Sequence, residues 1–447
     1  MKKLTALRIG LGACIAILLA SAVPAAQAAT SITVPCSGPT GGAAGLIAAI
    51  GKANSDGGST VYLAPHCAYQ LDAPDNSSNG GNGLPVITSQ VTLDGSATTI
   101  AGNGSDFRIL EVDGPGGSLT LQGITITGGA SVNAGVGAAG AGGGVLNVEG
   151  TLIVDNSRIT GNTAEIGGGG IASGTLGSGP LGITTLNGSQ VTDNTVSAGE
   201  GGGILNDAGT FTVNGSLVSG NTAPLGGGIA SDPGSGGIAA ALLTINGSQI
   251  TGNTANVEFE SPAGGGVANG GTGTIRGSQI TGNTAPGGQG GGVLNYGTLA
   301  VEGSVVARNT APDDGMQPGQ GFGGGVANLD FGAPGSGVLT VQLSSMTDNT
   351  SSDAGGAIFS VGSSGGLGSV TLDRVLVTGN TAVQGGGIAN ESALTIISSL
   401  LTRNTATEEG GGIYNDSSGT VTLTHTVVTG NQIDNCSPEG TIPDCHG

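Results

Sequence analysis

The sequence has 447 residues, and its 94 glycines, lack of tryptophan and 9% charged residues depart strongly from average globular composition. Its formal net charge of -20 at pH 7 excludes a general affinity for nucleic acid or anionic membranes. We expect the acidic excess to keep an exported protein soluble or to attract cations.

The first 28 residues have the features of a secretory signal peptide. Three basic residues precede an apolar run, which ends at the small-x-small cleavage pattern Ala26-Gln27-Ala28. Removal of these basic residues changes the formal net charge from -20 to -23. No second apolar run is long enough to cross a bilayer, so we expect a secreted, extracellular protein without membrane insertion.

Residues 29–85 do not share the pattern of the rest of the chain and are predicted to form an N-terminal cap with one helix. Within residues 42–54, apolar side chains recur on one helical face. They are Ala43, Leu46, Ile47 and Ile50. A stack of repeats would otherwise expose unpaired backbone and apolar core at its end, so we expect this segment to cover it.

Residues 86–431 carry a repeat that reads GGGxxN, then xTVxGSxI, then TGNT. Each copy has three short apolar-alternating runs separated by turn residues, which predicts three strands per copy. No window has an apolar stripe at helical spacing without several glycines inside it, which excludes helices here. The repeat predicts an all-β fold, a right-handed parallel β-helix solenoid of about twelve coils. The regular copies begin at Gly142, Gly168, Gly201, Gly226, Gly264, Gly290, Gly323, Gly355, Gly385 and Gly410.

In the second of the three predicted strands of each copy, apolar and polar residues alternate, which indicates the side chains that face inward. Phe211 and Val213 are expected to point inward, and Thr212 between them points to solvent. The outward position is threonine in nearly every copy. Such a row would suit ice or another flat lattice, which a thermal-hysteresis assay tests, but exposed threonine is also what strands prefer.

Two rows of asparagine recur at fixed positions of the repeat. An amide side chain donates to one coil and accepts from the next, and asparagine tolerates the left-handed backbone of tight corners. We therefore expect both rows to be structural and not ligand sites. The row after GGG includes Asn206, Asn269 and Asn295, and the row in TGNT includes Asn221, Asn253 and Asn283.

Four cysteines follow the leader, and an even number in an exported chain indicates disulfides. We favour Cys36 with Cys67 and Cys436 with Cys445, because the repeat array separates the two pairs. Residues 432–447 would then form a disulfide-linked C-terminal cap. No CxxC or Cys/His spacing indicates a metal site.

The repeat resembles the GGAI and FxxN repeats of the chlamydial polymorphic outer-membrane proteins. Gly355-Gly356-Ala357-Ile358 matches the first motif, and Ile159-Thr160-Gly161-Asn162 matches the second with an aliphatic residue in place of Phe. The resemblance covers about residues 86–431 and implies a pectin-lyase-like β-helix with, in those proteins, an adhesive surface role. No cell-anchoring domain is recognised after residue 431, so we expect a free protein. The cap and first coils are similar to those of secreted actinobacterial β-helix proteins.

Polysaccharide lyases and polygalacturonases share the fold that this resemblance implies, so an enzyme is the main alternative. A hydrolase of this type needs aspartates with a histidine on neighbouring coils, and only His425 lies on a coil. A lyase needs calcium held by carboxylates and a basic residue. The loops between TGNT and the next GGG carry the acids Glu165, Glu200, Glu258, Glu260, Asp313, Asp314, Asp353, Glu408 and Glu409.

If the protein is an enzyme, the candidate catalytic residues are Glu258, Glu260, Asp313, Asp314 and Arg308. Candidate calcium ligands are Asp313, Asp314, Glu408 and Glu409, and calcium is the one candidate cofactor. Exposed ion pairing explains the arginine equally well.

The sequence as a whole predicts a secreted, monomeric, non-catalytic, adhesin-like interaction protein. Its extracellular ligand is unknown from the sequence, and the candidates are a polysaccharide and a cell surface. The alternatives are a calcium-assisted polysaccharide lyase or other carbohydrate-active enzyme, and a lattice-binding threonine row.

Overall fold

The described residues form an all-β parallel solenoid of about twelve turns with one α-helix, as the repeat predicts. The segment predicted to be a signal peptide, residues 1–28, lies outside the described residues. Within the described part of the chain, no helix is both long and apolar enough to cross a membrane. This computed structural model describes residues 30–104, 106–132, 137–174, 181–234, 241–256, 263–315, 320–333, 335–362 and 368–445.

Each regular coil contributes two strands to one sheet, here called the wide sheet. Strand Thr210–Asn214 is followed by a Gly-Ser bend, in which Gly215 has a φ of 53°, and then by strand Leu217–Ser219. Because this bend divides the second predicted run, a coil has four short strands where the sequence predicts three. Among the described residues the wide sheet has 25 strands. They are Thr30–Val34, Gly58–Leu63, Ala68–Gln70, Gln90–Ala101, Ser118–Thr127, Thr151–Asp155, Arg158–Thr160, Ile183–Asn187, Gln190–Thr192, Thr210–Asn214, Leu217–Ser219, Leu242–Asn246, Gln249–Thr251, Thr272–Arg276, Gln279–Thr281, Thr298–Glu302, Val305–Ala307, Val338–Gln342, Ser345–Thr347, Ser369–Asp373, Leu376–Thr378, Ala393–Ile397, Leu400–Thr402, Thr420–Thr424 and Val427–Thr429.

A second side of the rod is the narrow sheet, which has twelve strands within the described residues. They are Leu110–Asp113, Val145–Val148, Ile171–Gly174, Ile204–Asp207, Ile229–Asp232, Val267–Asn269, Val293–Asn295, Val326–Leu329, Ile358–Val361, Ile388–Glu391, Ile413–Asn415 and Cys436–Ser437. The remaining strands form two short sheets on the third side. They are Ala130–Ser131, Thr163–Ala164, Thr195–Val196, Thr222–Ala223 and Thr254–Ala255, and then Thr310–Ala311, Thr350–Ser351, Thr381–Gln384 and Thr405–Glu409. The helices are the α-helix Gly42–Ser55 and the 3-10 turn Gly137–Gly140.

Neighbouring coils pair residue for residue, so like side chains form columns along the rod. Phe211 pairs with Leu243 and Thr212 with Thr244 on the next coil. The inward residues Phe211 and Val213 are fully buried, and each such side chain contributes roughly 1.5–3 kcal/mol to the core. The outward threonines form the expected row, and its binding to a lattice stays a prediction.

The asparagines of TGNT form a continuous hydrogen-bonded column inside one corner. The Oδ1 of Asn221 accepts from both the backbone and side-chain N–H of Asn194, each at 3.0 Å. Its Nδ2 donates to the carbonyl of Val191 and to Oδ1 of Asn253, each at 2.9 Å. Asn253 makes the corresponding bonds to Asn283. The column therefore satisfies buried backbone groups where the chain turns.

The asparagines after GGG point into the rod beside the narrow sheet. Nδ2 of Asn269 donates to Oδ1 of Asn295 at 2.9 Å, and Nδ2 of Asn206 donates to the hydroxyl of Ser231 at 3.0 Å. All three of these asparagines are fully buried. The second row is thus a mixed amide and hydroxyl column.

The glycine turn between the third side and the narrow sheet has no room for side chains. Gly201 has a φ of 67°, in the left-handed region. A Cβ atom on Gly202 would lie 2.4 Å from the carbonyl oxygen of Gly227 on the next coil. Backbone therefore packs directly on backbone at this position of each coil.

The N-terminal segment covers one end of the rod. The helix Gly42–Ser55 buries Leu46 and Ile50 against the first strands. The predicted disulfide between Cys36 and Cys67 is confirmed. This end of the solenoid core is therefore closed.

A buried ion pair lies in the first coils. Arg108 and Glu111 are fully buried, with Nη1 and Oε2 3.4 Å apart. Asn79 and Asn82 each donate from Nδ2 to one oxygen of Glu111 at 2.7 Å, and Nε of Arg108 donates to the carbonyl of Ala141 at 3.2 Å. Burial raises the pKa of Glu111 and lowers that of Arg108 to about 10. The network supplies the partners that two desolvated charges require.

The C-terminal segment continues only one of the sheets. The predicted disulfide between Cys436 and Cys445 is confirmed. Strand Cys436–Ser437 pairs with Ile413–Asn415 and so extends the narrow sheet. Ile442 and Cys445 are buried against the core.

Candidate functional site

The outer face of the narrow sheet borders the loops in which the sequence places its acidic residues. In strand Ile204–Asp207, Ile204 and Asn206 are fully buried and point inward, so alternation directs Asp207 outward. Glu200, the residue before the glycine turn, forms bridges with its counterparts on both neighbouring coils. It therefore borders the same outer face.

Three carboxyl groups and one phenol meet on this face. Asp207 and Asp232 are register partners on adjacent strands, which lie about 4.8 Å apart. The hydroxyl of Tyr296 donates to Oδ2 of Asp232 at 2.8 Å, and the backbone N–H of Gly234 donates to its Oδ1 at 3.0 Å. Glu200 lies close enough for both aspartates to act on its charge. We call Glu200, Asp207, Asp232 and Tyr296 the acidic cluster.

Burial and mutual repulsion shift the pKa values of this cluster. Burial, followed by the charges of Asp232 and Asp207, raises the pKa of Glu200 to about 7. Burial and then Asp232 raise the pKa of Asp207 to about 6. Burial also raises the pKa of Tyr296. At neutral pH the cluster thus combines a carboxylic acid that is protonated part of the time with a carboxylate that is mostly ionised.

Aromatic side chains lie along the same face. The rings of Tyr296 and Phe331 have centroids 6.0 Å apart, and Phe331 is 63% exposed. Phe322 and Phe359 stack at 4.6 Å. The chain has four tyrosines and six phenylalanines, and with Tyr414 five of these ten lie on this face. The face therefore concentrates a residue type that is scarce elsewhere.

The acids predicted from the sequence form part of this surface. The charges of Glu408 and Asp313 both raise the pKa of Asp353, after burial, so these three groups share one corner of the rod. The charge of Glu409 acts on Tyr414. A Cβ atom on Gly287 would lie 2.6 Å from Oδ2 of Asp314, which therefore rests against a neighbouring coil. Glu258 and Glu260 lie outside the described residues.

Arg308 is the basic residue predicted to act with these acids. Arg308 has a φ of 53° and occupies the turn before Asn309, on the corner where the wide sheet ends. Among the described residues, the ion pairs of arginine are with Glu111, Asp193, Glu302 and Asp373, and none connects Arg308 to Asp313. A joint role of Arg308 and these acids stays a prediction.

Metal ligation was the second role predicted for Asp313, Asp314, Glu408 and Glu409. Within the described ranges, no group of three or more His, Cys, Asp or Glu side chains is placed to hold a metal ion. Calcium binding by these residues stays a prediction.

We expect Glu200→Gln to stabilise the protein above pH 7 and to have little effect near pH 4. The pKa of Glu200 is about 7 in the folded state, above its ordinary value of 4.5, so the folded state retains the proton longer than the unfolded chain. Stability is consequently lost as the pH rises from about 4.5 through 7, by at most about 3 kcal/mol, and glutamine removes this loss.

Urea unfolding across this pH range measures the effect. The control is Glu302→Gln, at an exposed position paired with Arg276 on the wide sheet, which should leave the pH dependence unchanged. Identical pH profiles for the wild type and Glu200→Gln would contradict the assigned environment of Glu200.

Sequence reasoning identified Glu200 as one of the loop acids but missed Asp207, Asp232 and Tyr296. All three follow directly after the buried residue of the GGGxxN motif or its serine substitute. Strand alternation places that next residue outward, on the side of the loop acids. The residue directly after the motif is therefore the sequence signal for these three members of the acidic cluster.

Comparison with known proteins gives no family assignment. No family model matches the sequence, and no curated protein is significantly similar to it, so the repeat families suggested by the sequence are not confirmed. Pectate lyase Pel9A is 16% identical, with a TM-score of 0.39, over 78% of this chain and 76% of that one. The A-module of the Azotobacter vinelandii mannuronan C-5 epimerase AlgE6 is 14% identical, with a TM-score of 0.38, over 87% and 90%. At these values nothing about the chemistry of this chain follows from either structure.

Proposed function

We propose that the protein is an extracellular carbohydrate-active enzyme that hydrolyses a polysaccharide at the outer face of the narrow sheet. The observation that carries the proposal is the placement of Glu200 beside Asp207, with pKa values near 7 and 6, on a face lined by aromatic rings. Two carboxyl groups held in different protonation states are what acid–base cleavage of a glycosidic bond requires.

Each group has a defined task in this proposal. Glu200 donates its proton to the glycosidic oxygen as the leaving sugar departs. Asp207, ionised, takes a proton from the attacking water or shields the positive charge that develops on the sugar ring. Tyr296 holds Asp232 by a hydrogen bond, and the negative charge of Asp232 keeps Glu200 protonated at higher pH.

The aromatic rings provide the contact surface for sugar rings. Sugars stack on exposed aromatic faces, and the exposed ring of Phe331 lies 6.0 Å from that of Tyr296 in the acidic cluster. A solenoid presents the same face over many coils, which suits a long polymer. Secretion, which remains a prediction from the leader and is consistent with the two disulfides, would bring the protein to such polymers.

The test is release of reducing ends from a panel of neutral, acidic and amino-sugar polysaccharides. We expect Glu200→Gln and Asp207→Asn each to lower kcat by roughly 100-fold or more, whereas the control Glu302→Gln retains activity. Because Glu200→Gln should be at least as stable as the wild type at pH 7, its loss cannot be attributed to unfolding. Cleavage that neither variant affects would overturn the proposal.

The same polysaccharide panel distinguishes the proposed hydrolase from the two alternative functions. Binding without cleavage would favour the non-catalytic interaction protein predicted from the sequence. Unsaturated products that form only with calcium would favour the lyase, for which the shared corner of Asp313, Asp353 and Glu408 is the supporting observation.

A further inference from the structure

The two ends of the rod differ in how they are closed. At the N-terminal end, the helix Gly42–Ser55 lies over the core. At the other end, strand Thr420–Thr424 pairs only with Ala393–Ile397, and Val427–Thr429 pairs only with Leu400–Thr402, within the described part of the chain. The wide sheet therefore ends in a free edge.

The core beneath this edge is more exposed than the core one coil earlier. Val421 and Leu423 face inward but are only partly buried. Their counterparts one coil earlier, Leu394 and Ile396, are 2% and 0% exposed. Strand Cys436–Ser437 of the C-terminal segment extends the narrow sheet and forms no backbone pairing with this edge.

The edge strand lacks the features that normally protect a free edge. Natural edge strands carry lysine, proline, a bulge or an inward-pointing charge, which prevent another strand from pairing. The sequence of residues 420–424, TVTLT, has none of these. Its pairing with Ala393–Ile397 is regular, without a shift in register.

We propose that this end docks on the same end of a second copy of the chain, forming a two-fold symmetric, end-to-end dimer. The alternation of residues 420–424 is the same read in either direction. Antiparallel pairing centred on Thr422 places Val421 opposite Leu423 of the other copy, both facing inward, and Thr422 opposite its own equivalent. The pairing joins the two partly exposed cores and continues the wide sheet through strand Thr420–Thr424 of each copy.

The edge strand Thr420–Thr424 can pair with itself, which favours a second copy of the chain as its partner. A two-fold interface must match a surface to itself, and a strand with a palindromic pattern does so without any change. The acids Asp434, Glu439 and Asp444 give the same end of each copy a negative charge, which opposes association. Salt screens this repulsion, so we expect the dimer to strengthen with ionic strength. This proposal departs from the monomer expected from the sequence, and it does not depend on the proposed enzymatic activity.

Single cysteines test the predicted register. In Thr422→Cys the new side chains of the two copies face each other across an antiparallel pair, at a Cα separation of about 4.5–5.5 Å that suits a disulfide. We expect this variant to form a covalent dimer on mild oxidation. Thr420→Cys is the matched control, because it lies opposite residue 424 of the other copy and should stay uncrosslinked. Equal cross-linking of both variants would overturn the register.

Light scattering and small-angle scattering of the mature wild type test the assembly itself. We expect twice the mass of one chain and about twice the length of one rod. Val421→Lys places a charge in the joined core and should give monomers, whereas Thr371→Lys, outward on a central strand, should remain dimeric. A monomeric wild type, a dimer that Val421→Lys leaves intact, or open-ended polymers would each overturn the proposal, since a two-fold contact closes after two copies.

Discussion

Replacing Glu111 by leucine is expected to lower the free energy of unfolding by about 3–5 kcal/mol, because it leaves the charge of Arg108 buried without its counter-ion. Both side chains are 0% exposed, so water cannot replace the lost carboxylate. Asn79 and Asn82 would lose the acceptor that each now binds at 2.7 Å. Urea unfolding of the single variant measures the loss.

The double variant Arg108→Met, Glu111→Leu is the decisive control. A buried ion pair replaced by apolar side chains of similar volume is often neutral in stability. We expect the double variant to recover at least half of the loss. A double variant as unstable as Glu111→Leu alone would contradict this explanation. The loss would then come from the missing hydrogen bonds of the network and not from the unpaired buried charge of Arg108.

Replacing Asn221 by alanine should lower the free energy of unfolding by about 3 kcal/mol or more. Its amide makes four hydrogen bonds inside the corner column, to Asn194, Val191 and Asn253. Alanine can make none of these hydrogen bonds. Buried backbone and amide groups on three coils would therefore lose their partners.

Asn246→Ala is the matched control for this variant. Asn246 also belongs to an asparagine ladder, donating to Oδ1 of Asn214 at 3.0 Å, but its row is on the outer surface of the wide sheet, where water can replace the bond. We expect a loss of less than about 1 kcal/mol there. Similar losses at Asn221 and Asn246 in urea unfolding would show that burial does not set the importance of these amides.

The architecture was predictable because the same sequence motif recurs in each coil. Alternation in Thr210–Asn214 assigns Phe211 and Val213 to the core, and the TGNT asparagine marks the corner, so the period alone stacks the coils. The cysteine pairing followed from the position of the repeats between the two pairs. These are local signals, or signals that recur at a constant offset.

The remaining features depend on contacts that occur once. The charge of Asp232 acts on Glu200 from another coil, and Tyr296 donates a hydrogen bond to the same carboxylate from 64 positions away. Arg108 and Glu111 sit only three residues apart, yet their burial is set by the segment around Asn79 and Asn82. The pairing of Cys436–Ser437 with the narrow sheet likewise occurs only once, at Ile413–Asn415. No periodic signal in the sequence encodes these encounters.

The crowded glycine turn constrains how such a molecule can change over time. Since the backbone of Gly202 rests on that of Gly227, a residue inserted there would push these two stacked backbones apart and disturb the pairing of the two coils at that turn. Loops at the other corners already differ in size, as the spacing between successive copies shows. Variation in length is consequently confined to those loops or to gain and loss of entire coils. Duplication and recombination of gene segments that encode one coil are then the natural route by which the rod lengthens or shortens.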